Sequence, residues 1–185
     1  MMISRRLLPA RALFPRRRWL TAIAGSLCAC ALAIGPAVAP ASAEVPGAAP
    51  FSPVFLGYVY LIQFNTQHCL YGGNGDFTAV NTAGCNFLDF AILWARWSTP
   101  FGGENLENVG NFQCLDSNAA GDDYTDPCNW NNEYQSWTFG GLGPASTIQN
   151  QVTLRCLDGN SSGSSYTSLC NWNNLYQNWT ELEGP

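Results

Sequence analysis

The decade from Cys128 to Trp137 reads CNWNNEYQSW, and 42 residues later, from Cys170 to Trp179, the chain reads CNWNNLYQNW, with eight of ten positions identical. A duplication of this kind constrains folding strongly, because each copy must form the same local unit and the units must bury their apolar faces on one another. Laid on itself at steps of 42 to 45 residues, the chain aligns three copies that begin near Leu61, Leu106 and Ile148 and close at Trp94, Trp137 and Trp179. Copies 2 and 3 are close relatives. Copy 1, with CLYGGNGDFTAVNTAGC followed by NFLDFAILW, keeps the two cysteines and the tryptophan and little else.

Within each copy, β-favouring runs such as GYVYLIQF and QVTLRCL alternate with clusters of Gly, Asn, Asp and Ser about every ten residues, and no helical stripe is visible. Three such units would leave uncapped sheet edges in an open stack and are too few for a propeller, so closure on one another is the expected architecture. Each copy also carries its own cysteine pair. Six cysteines allow fifteen pairings in principle, and the repeat favours the symmetric one: Cys69 with Cys85, Cys114 with Cys128, and Cys156 with Cys170. Each bond closes a short loop, worth about 3 kcal/mol.

The first 43 residues are of another kind. Six of the eight basic residues precede the apolar run Trp19–Ile34, and APASA ends at Ala43. That pattern reads as a cleaved signal peptide over 1–43, by the general or the twin-arginine route, and predicts a secreted, extracellular protein with oxidised cysteines. Residues 44–57 read as an N-terminal extension and 58–185 as one domain, with copies at about 58–100, 101–143 and 144–185. After residue 43 the chain holds thirteen carboxylates against Arg96 and Arg155, a formal balance of −11. So acidic a surface disfavours nucleic acid and anionic membrane as partners.

The C-L-D triplet, the later cysteine and the closing Q-x-W (Gln135 to Trp137, Gln177 to Trp179), complete in copies 2 and 3 and worn in copy 1, resemble the ricin-type β-trefoil lectins. More narrowly, LDSN…G…YT…CN…N…YQ.W resembles the actinohivin-like bacterial members, whose repeats each bind mannose. The match covers about 120 residues, Leu61 to Trp179. It implies an all-β trefoil and a glycan-binding function. In such a fold the closing tryptophans belong to the core, and Gln135 and Gln177 satisfy buried backbone groups rather than ligand.

Candidate ligand residues are polar or aromatic positions present in copies 2 and 3 but lost from copy 1. They are Asp116, Tyr124 and Tyr134, with counterparts Asp158, Tyr166 and Tyr176; Asn129 and Asn171 join them, although copy 1 retains Asn86. The resemblance makes these the mannose contacts. The chemistry suits a saccharide: a carboxylate accepts from two neighbouring hydroxyls, an amide donates and accepts, and a phenol ring covers the C–H face of a pyranose. Copy 1 has Tyr71, Asn81 and Ala91 instead and is not expected to form this site. The alternative reading makes Asp116 and Asp158 mere caps of the turns DSNAAG and DGNSSG. If the aspartates serve ligand alone, truncating both should abolish glycan retention and leave unfolding nearly unchanged. Asp126 and Ser168 stand where the actinohivin-like pattern has leucine, and Glu133 or Leu175 is inserted before the YQ tyrosine, so the pocket wall has changed chemistry. Trp130 and Trp172 replace a glycine of that pattern, and either extend the stacking platform or plug the lobe.

Other chemistries fit poorly. GNSSG at 159–163 mimics a hydrolase nucleophile elbow without its strand-to-helix context. DGNSSG mimics a calcium loop whose twelfth position is Leu169, with Pro127 in the sister copy. Asp122, Asp123 and Asp126 therefore read as a solvated rim. The single histidine, His68, aligns with Gln113 and Arg155 and makes a poor general base, and nothing sets Glu104 and Glu107 across a cleft. The expectation is a lectin without enzymatic activity, metal or cofactor, whose partners are glycans or glycoproteins on cell surfaces. The competing reading is an inhibitor-like trefoil that binds a protein partner.

Overall fold

The computed structural model describes residues 50–73, 78–141 and 145–185. The expected signal peptide lies outside the described residues. Copy 1 contributes β1 (Phe55–Gln63), β2 (His68–Tyr71), β3 (Thr78–Ala79), β4 (Asn81–Gly84) and β5 (Leu93–Ser98). Copy 2 contributes β6 (Glu104–Asn108), β7 (Gln113–Ser117), β8 (Asp123–Pro127) and β9 (Trp137–Gly140), and copy 3 contributes β10 (Thr147–Asn150), β11 (Arg155–Gly159), β12 (Ser165–Leu169) and β13 (Trp179–Glu183). Strand β1 begins inside the segment read as an extension, because Phe55 pairs with Trp97 across β1 and β5.

The first and last strands of the copies form a closed ring. β1 pairs with β5, β5 with β6, β6 with β9 and β9 with β10. A bridge between Ser146 and Trp179 joins the start of β10 to β13, and β13 returns to β1 with Val59 opposite Glu183. Closure removes the exposed edges that three separate sheets would present. The middle strands of each copy make hairpins, β2 with β4, β7 with β8 and β11 with β12, that cap one end of the ring. Equivalent threonines lash the caps together: the Thr82 amide donates to the Gly163 carbonyl at 2.7 Å, the Thr167 amide to the Gly121 carbonyl at 2.7 Å, and Thr125 pairs with Thr78. The fold is a β-trefoil.

Its core is built by threes: Leu61, Leu106 and Ile148; Leu70, Leu115 and Leu157; Trp94, Trp137 and Trp179, all fully buried. Burying an indole removes about 150–250 Å² from water, but its N–H costs about 1–3 kcal/mol if left unpaired. Each copy meets that cost identically. Trp94 Nε1 donates to the Leu70 carbonyl at 3.1 Å, Trp137 Nε1 to Leu115 at 3.0 Å and Trp179 Nε1 to Leu157 at 3.1 Å. The three disulfides form within the copies, as the repeat predicts. One ionic cluster takes a side chain from every copy: Arg96 reaches Glu104 through Nε at 2.5 Å and Nη2 at 2.8 Å, and Glu181 through Nη1 at 2.9 Å. Its guanidinium lies 4.6 Å from the Phe139 ring centroid. Glu104 is thereby committed to structure.

Candidate functional site

Successive side chains of a strand point to opposite faces, so in the copy 2 hairpin Tyr124 and Asp126 share the outer face of β8. Asp116 stands directly across from Tyr124. The segment after Cys128 folds back over this face and ends in a short 3₁₀ turn at Glu133–Gln135, capped by Asn132, whose Oδ1 accepts the Tyr134 amide at 3.1 Å. Asn132 Nδ2 and Gln135 Nε2 both donate to Asp116 Oδ2, at 2.9 and 3.1 Å. The carboxylate of Asp116, only 2% exposed, is thus fixed at the base of a shallow hollow of about 220 Å³ lined by Tyr124, Asp126, Asn132 and Tyr134. Burial pushes its pKa up against the opposing hydrogen bond from Gln135; the nearby Asp126 charge adds to the upward shift.

Copy 3 repeats the scaffold with one exchange. Asp158 stands across from Tyr166, and Asp158 Oδ2 accepts from Asn174 at 3.0 Å and Gln177 at 3.0 Å. Ser168, in the place of Asp126, adds a third bond at 2.6 Å, and the Gly159 amide donates to Oδ1 at 2.8 Å. The Tyr166 hydroxyl donates to the Gly159 carbonyl at 3.1 Å. Asp158 is therefore more fully engaged than Asp116, and the copy 3 wall presents a hydroxyl where copy 2 presents a second carboxylate. Burial, then the neighbouring carboxylates, raise the Tyr124 phenol; burial, then Asp158, raise that of Tyr166. Both stay protonated near neutrality.

The turns are not capped by the aspartates. Asn118 Oδ1 accepts the amides of Ala120, Gly121 and Asp122 at 2.9, 3.0 and 3.1 Å, and Asn160 Oδ1 accepts those of Ser162 and Ser164 at 2.9 and 3.1 Å. The GNSSG segment is accordingly a turn. Gln135 and Gln177 act as the sequence predicts: their Oε1 atoms accept the Asn129 and Asn171 amides at 2.8 and 2.7 Å, and their Nε2 atoms donate to the Pro127 and Leu169 carbonyls at 3.1 and 3.0 Å.

The structure brings Asp116, Tyr124 and Tyr134 to one hollow. Asn129 and Asn171 are exposed, with their Oδ1 atoms accepting the Asn131 and Asn173 amides at 3.1 Å. The amides that touch the carboxylates belong to Asn132 and Asn174. The sequence held a signal for them, since both are Asn in copies 2 and 3 while copy 1 has Asp89. Two expectations need correction. Asp123 is not on a solvated rim: its inward-facing position on β8 leaves it 4% exposed, and its carboxylate accepts the Ser165 hydroxyl of the neighbouring copy. Truncating Asp116 is also not free of structural cost, because Gln135 Nε2 would keep only the Pro127 carbonyl for its two N–H groups, whereas Gln177 Nε2 without Asp158 would keep both Ser168 Oγ and the Leu169 carbonyl. Of the two loop tryptophans, Trp130 is half-buried against Trp97, with ring centroids 5.7 Å apart, whereas Trp172 is 63% exposed.

Copy 1 builds a different surface. A hollow of about 470 Å³ is lined there by Tyr71, Leu88, Asp89, Phe90 and Phe112. Asp89 caps the corresponding turn, accepting the Ala91 amide at 2.9 Å.

No protein-family profile matches the chain, and no curated protein sequence does. Solved structures do. The chain aligns with a designed threefold-symmetric protein, ThreeFoil, at a TM-score of 0.63 and 17% identity, covering 70% of this chain and 100% of that one. It aligns with SeviL, solved bound to asialo-GM1 saccharide, at 0.56 and 11%, covering 70% and 99%. The hemolytic lectin CEL-III aligns at 0.57 and 19%, covering 68% of this chain but only 30% of its own length. At these identities the likeness establishes the fold: a β-trefoil of the kind that ricin-type lectins share.

Proposed function

We propose that this chain is a secreted lectin that binds mannose-type or related glycans through two sites, one on copy 2 and one on copy 3. The observation that carries the reading is the recurrence, in copies 2 and 3 alone, of a buried carboxylate held by an Asn and a Gln and faced by tyrosine. Asp116 and Asp158 accept from vicinal sugar hydroxyls, Tyr124, Tyr134, Tyr166 and Tyr176 supply phenol donors and ring faces, and Asn129 and Asn171 reach outlying hydroxyls from the rim. Asn132 and Asn174 hold the carboxylates in position and line the ligand. The site chemistry supports binding rather than catalysis. The lectin relatives of the fold favour the same reading. Shallow single sites bind weakly because they bury few groups, so two on one rigid body favour branched or surface-bound glycans over free monosaccharide.

A broad glycan array, probed with the disulfide-bonded protein, tests this. Retention on mannose-terminated glycans, competed away by free mannose, is the expected result. A blank array together with capture of a protein ligand would replace it with the inhibitor-like reading.

A further inference from the structure

The carboxylates at the base of the two sites are supplied with donors unequally. In copy 3, Asp158 Oδ2 accepts from Asn174, Gln177 and the Ser168 hydroxyl, and Oδ1 accepts the Gly159 amide at 2.8 Å. In copy 2, Asp116 Oδ2 accepts from Asn132 and Gln135, while Oδ1, on a residue only 2% exposed, is buried with no hydrogen bond among the described residues. The Ser117 amide favours the Asp116 charge without bonding Oδ1. Copy 2 is therefore two donors short of copy 3. At the position of Ser168 stands Asp126, which brings a second carboxylate to the lining of the same hollow.

No basic side chain offsets this pair. The chain has no lysine, and only two arginines follow residue 43. Arg96 is held by Glu104 and Glu181, Arg155 donates to the Thr167 carbonyl at 3.2 Å, and neither lines the hollow. A ligand that completes the hollow must bring both donors and positive charge. A sugar hydroxyl brings one donor together with acceptor lone pairs, whereas an ammonium group brings three donors, a full charge and no acceptor. A bare metal ion fits less well. Calcium takes about six to eight oxygen ligands, and the N–H groups that Asn132 and Gln135 aim at Asp116 Oδ2 would oppose it. The rings of Tyr124 and Tyr134, which line the rest of the hollow, suit an organic cation.

We propose that the copy 2 site takes an amino sugar with a free ammonium group, a hexosamine of the glucosamine type, whose nitrogen sits by Asp126 above Asp116, while the copy 3 site, with Ser168, takes uncharged sugar. The proposal rests on the carbohydrate reading and divides its two sites by charge.

Titration of the disulfide-bonded Asp158→Asn protein, which leaves copy 2 alone, with glucosamine, glucose, N-acetylglucosamine and mannose tests it. At about pH 6 the amine of glucosamine is protonated, and acetylation removes that charge without removing the ring. Glucosamine should bind about tenfold more tightly than the three neutral sugars, the factor expected when a neutral hydrogen bond becomes a charge-assisted one. Asp126→Ser installs the residue that copy 3 carries at this position and should erase the preference. Ser168→Asp, with copy 2 disabled by Asp116→Asn, should create the preference in copy 3. Equal affinity for glucosamine and glucose at copy 2, or a preference that survives Asp126→Ser, overturns the proposal and leaves the carbohydrate reading standing. Failure of all four sugars to bind the wild-type protein removes both.

Discussion

Gln135 and Asp116 form one unit: the glutamine Nε2 reaches Asp116 Oδ2 at 3.1 Å and the Pro127 carbonyl at 3.1 Å, while its Oε1 takes the Asn129 amide at 2.8 Å. Gln177 does the same for Asp158, Leu169 and Asn171. The Q of Q-x-W therefore shapes the proposed site without touching ligand. Gln135→Leu should destabilise the protein by about 1–3 kcal/mol, since it leaves the Asn129 amide without its acceptor and leaves the buried Asp116 carboxylate with Asn132 as its remaining side-chain donor. Under the lectin reading it should also remove copy 2 binding and spare copy 3. Denaturant titration and glycan binding measured on one sample check both.

Isosteric replacement separates the carboxylate's two roles. Asp116→Asn can keep one acceptor toward Gln135, whereas Asp116→Ala keeps none and should cost about 1–3 kcal/mol more. Both should lower glycan affinity at least tenfold at copy 2. Full glycan affinity in Asp116→Asn, measured with copy 3 disabled by Asp158→Asn, would remove Asp116 from the site.

Asp123 should make stability depend on pH. Burial first of all, against the opposing Ser165 hydrogen bond, raises its pKa from 3.8 to about 7. The folded state then holds this proton between about pH 4 and 7 where the unfolded chain has released it. Stability from this group is complete below the unfolded value and is lost as pH rises through the folded one. At 1.36 kcal/mol per unit the full effect is roughly 4 kcal/mol. Asp123→Asn should match the wild type near pH 4 and unfold at a higher temperature near pH 8. Parallel melting curves across that range would show that Asp123 is not the titrating group.

Arg96 joins Glu104 and Glu181, and each of the three side chains is between a fifth and a third exposed. Arg96→Met keeps the apolar stem over Phe139 but leaves two carboxylates facing each other. A loss of about 1–2 kcal/mol is expected, discounted for solvent screening. Added salt should shrink the part due to repulsion between the glutamates. Urea titrations at low and high salt measure this.

Much of the fold was legible because the repeat encodes it locally. A cysteine pair, a tryptophan and a turn cluster recur within each copy, and such features reappear in the structure as disulfide, core residue and hairpin. What escaped the sequence depends on contacts between copies or on which way a loop turns. Asp123 looked like one of several acidic loop residues, because only the docking of copy 3 brings Ser165 to it. Asn132 and Asn129 lie in the same decade, and the 3₁₀ turn decides which of them meets the carboxylate. The fates of Trp130 and Trp172 diverge through Trp97 and Gly140, which stand at equivalent positions more than 30 residues upstream of each.

The ring closes only when β13 lies beside β1, with Gln63 opposite Trp179. Each disulfide, by contrast, spans 14 or 16 residues and lies inside a single copy. Oxidation can therefore run ahead of assembly, leaving three stapled hairpins on a string before the last strand arrives. That last pairing joins the strands most distant in sequence and bears the largest loop-closure entropy. A nascent chain held short of residue 179 would be fully cross-linked yet leave one edge of its first strand, the edge that β13 covers, unpaired.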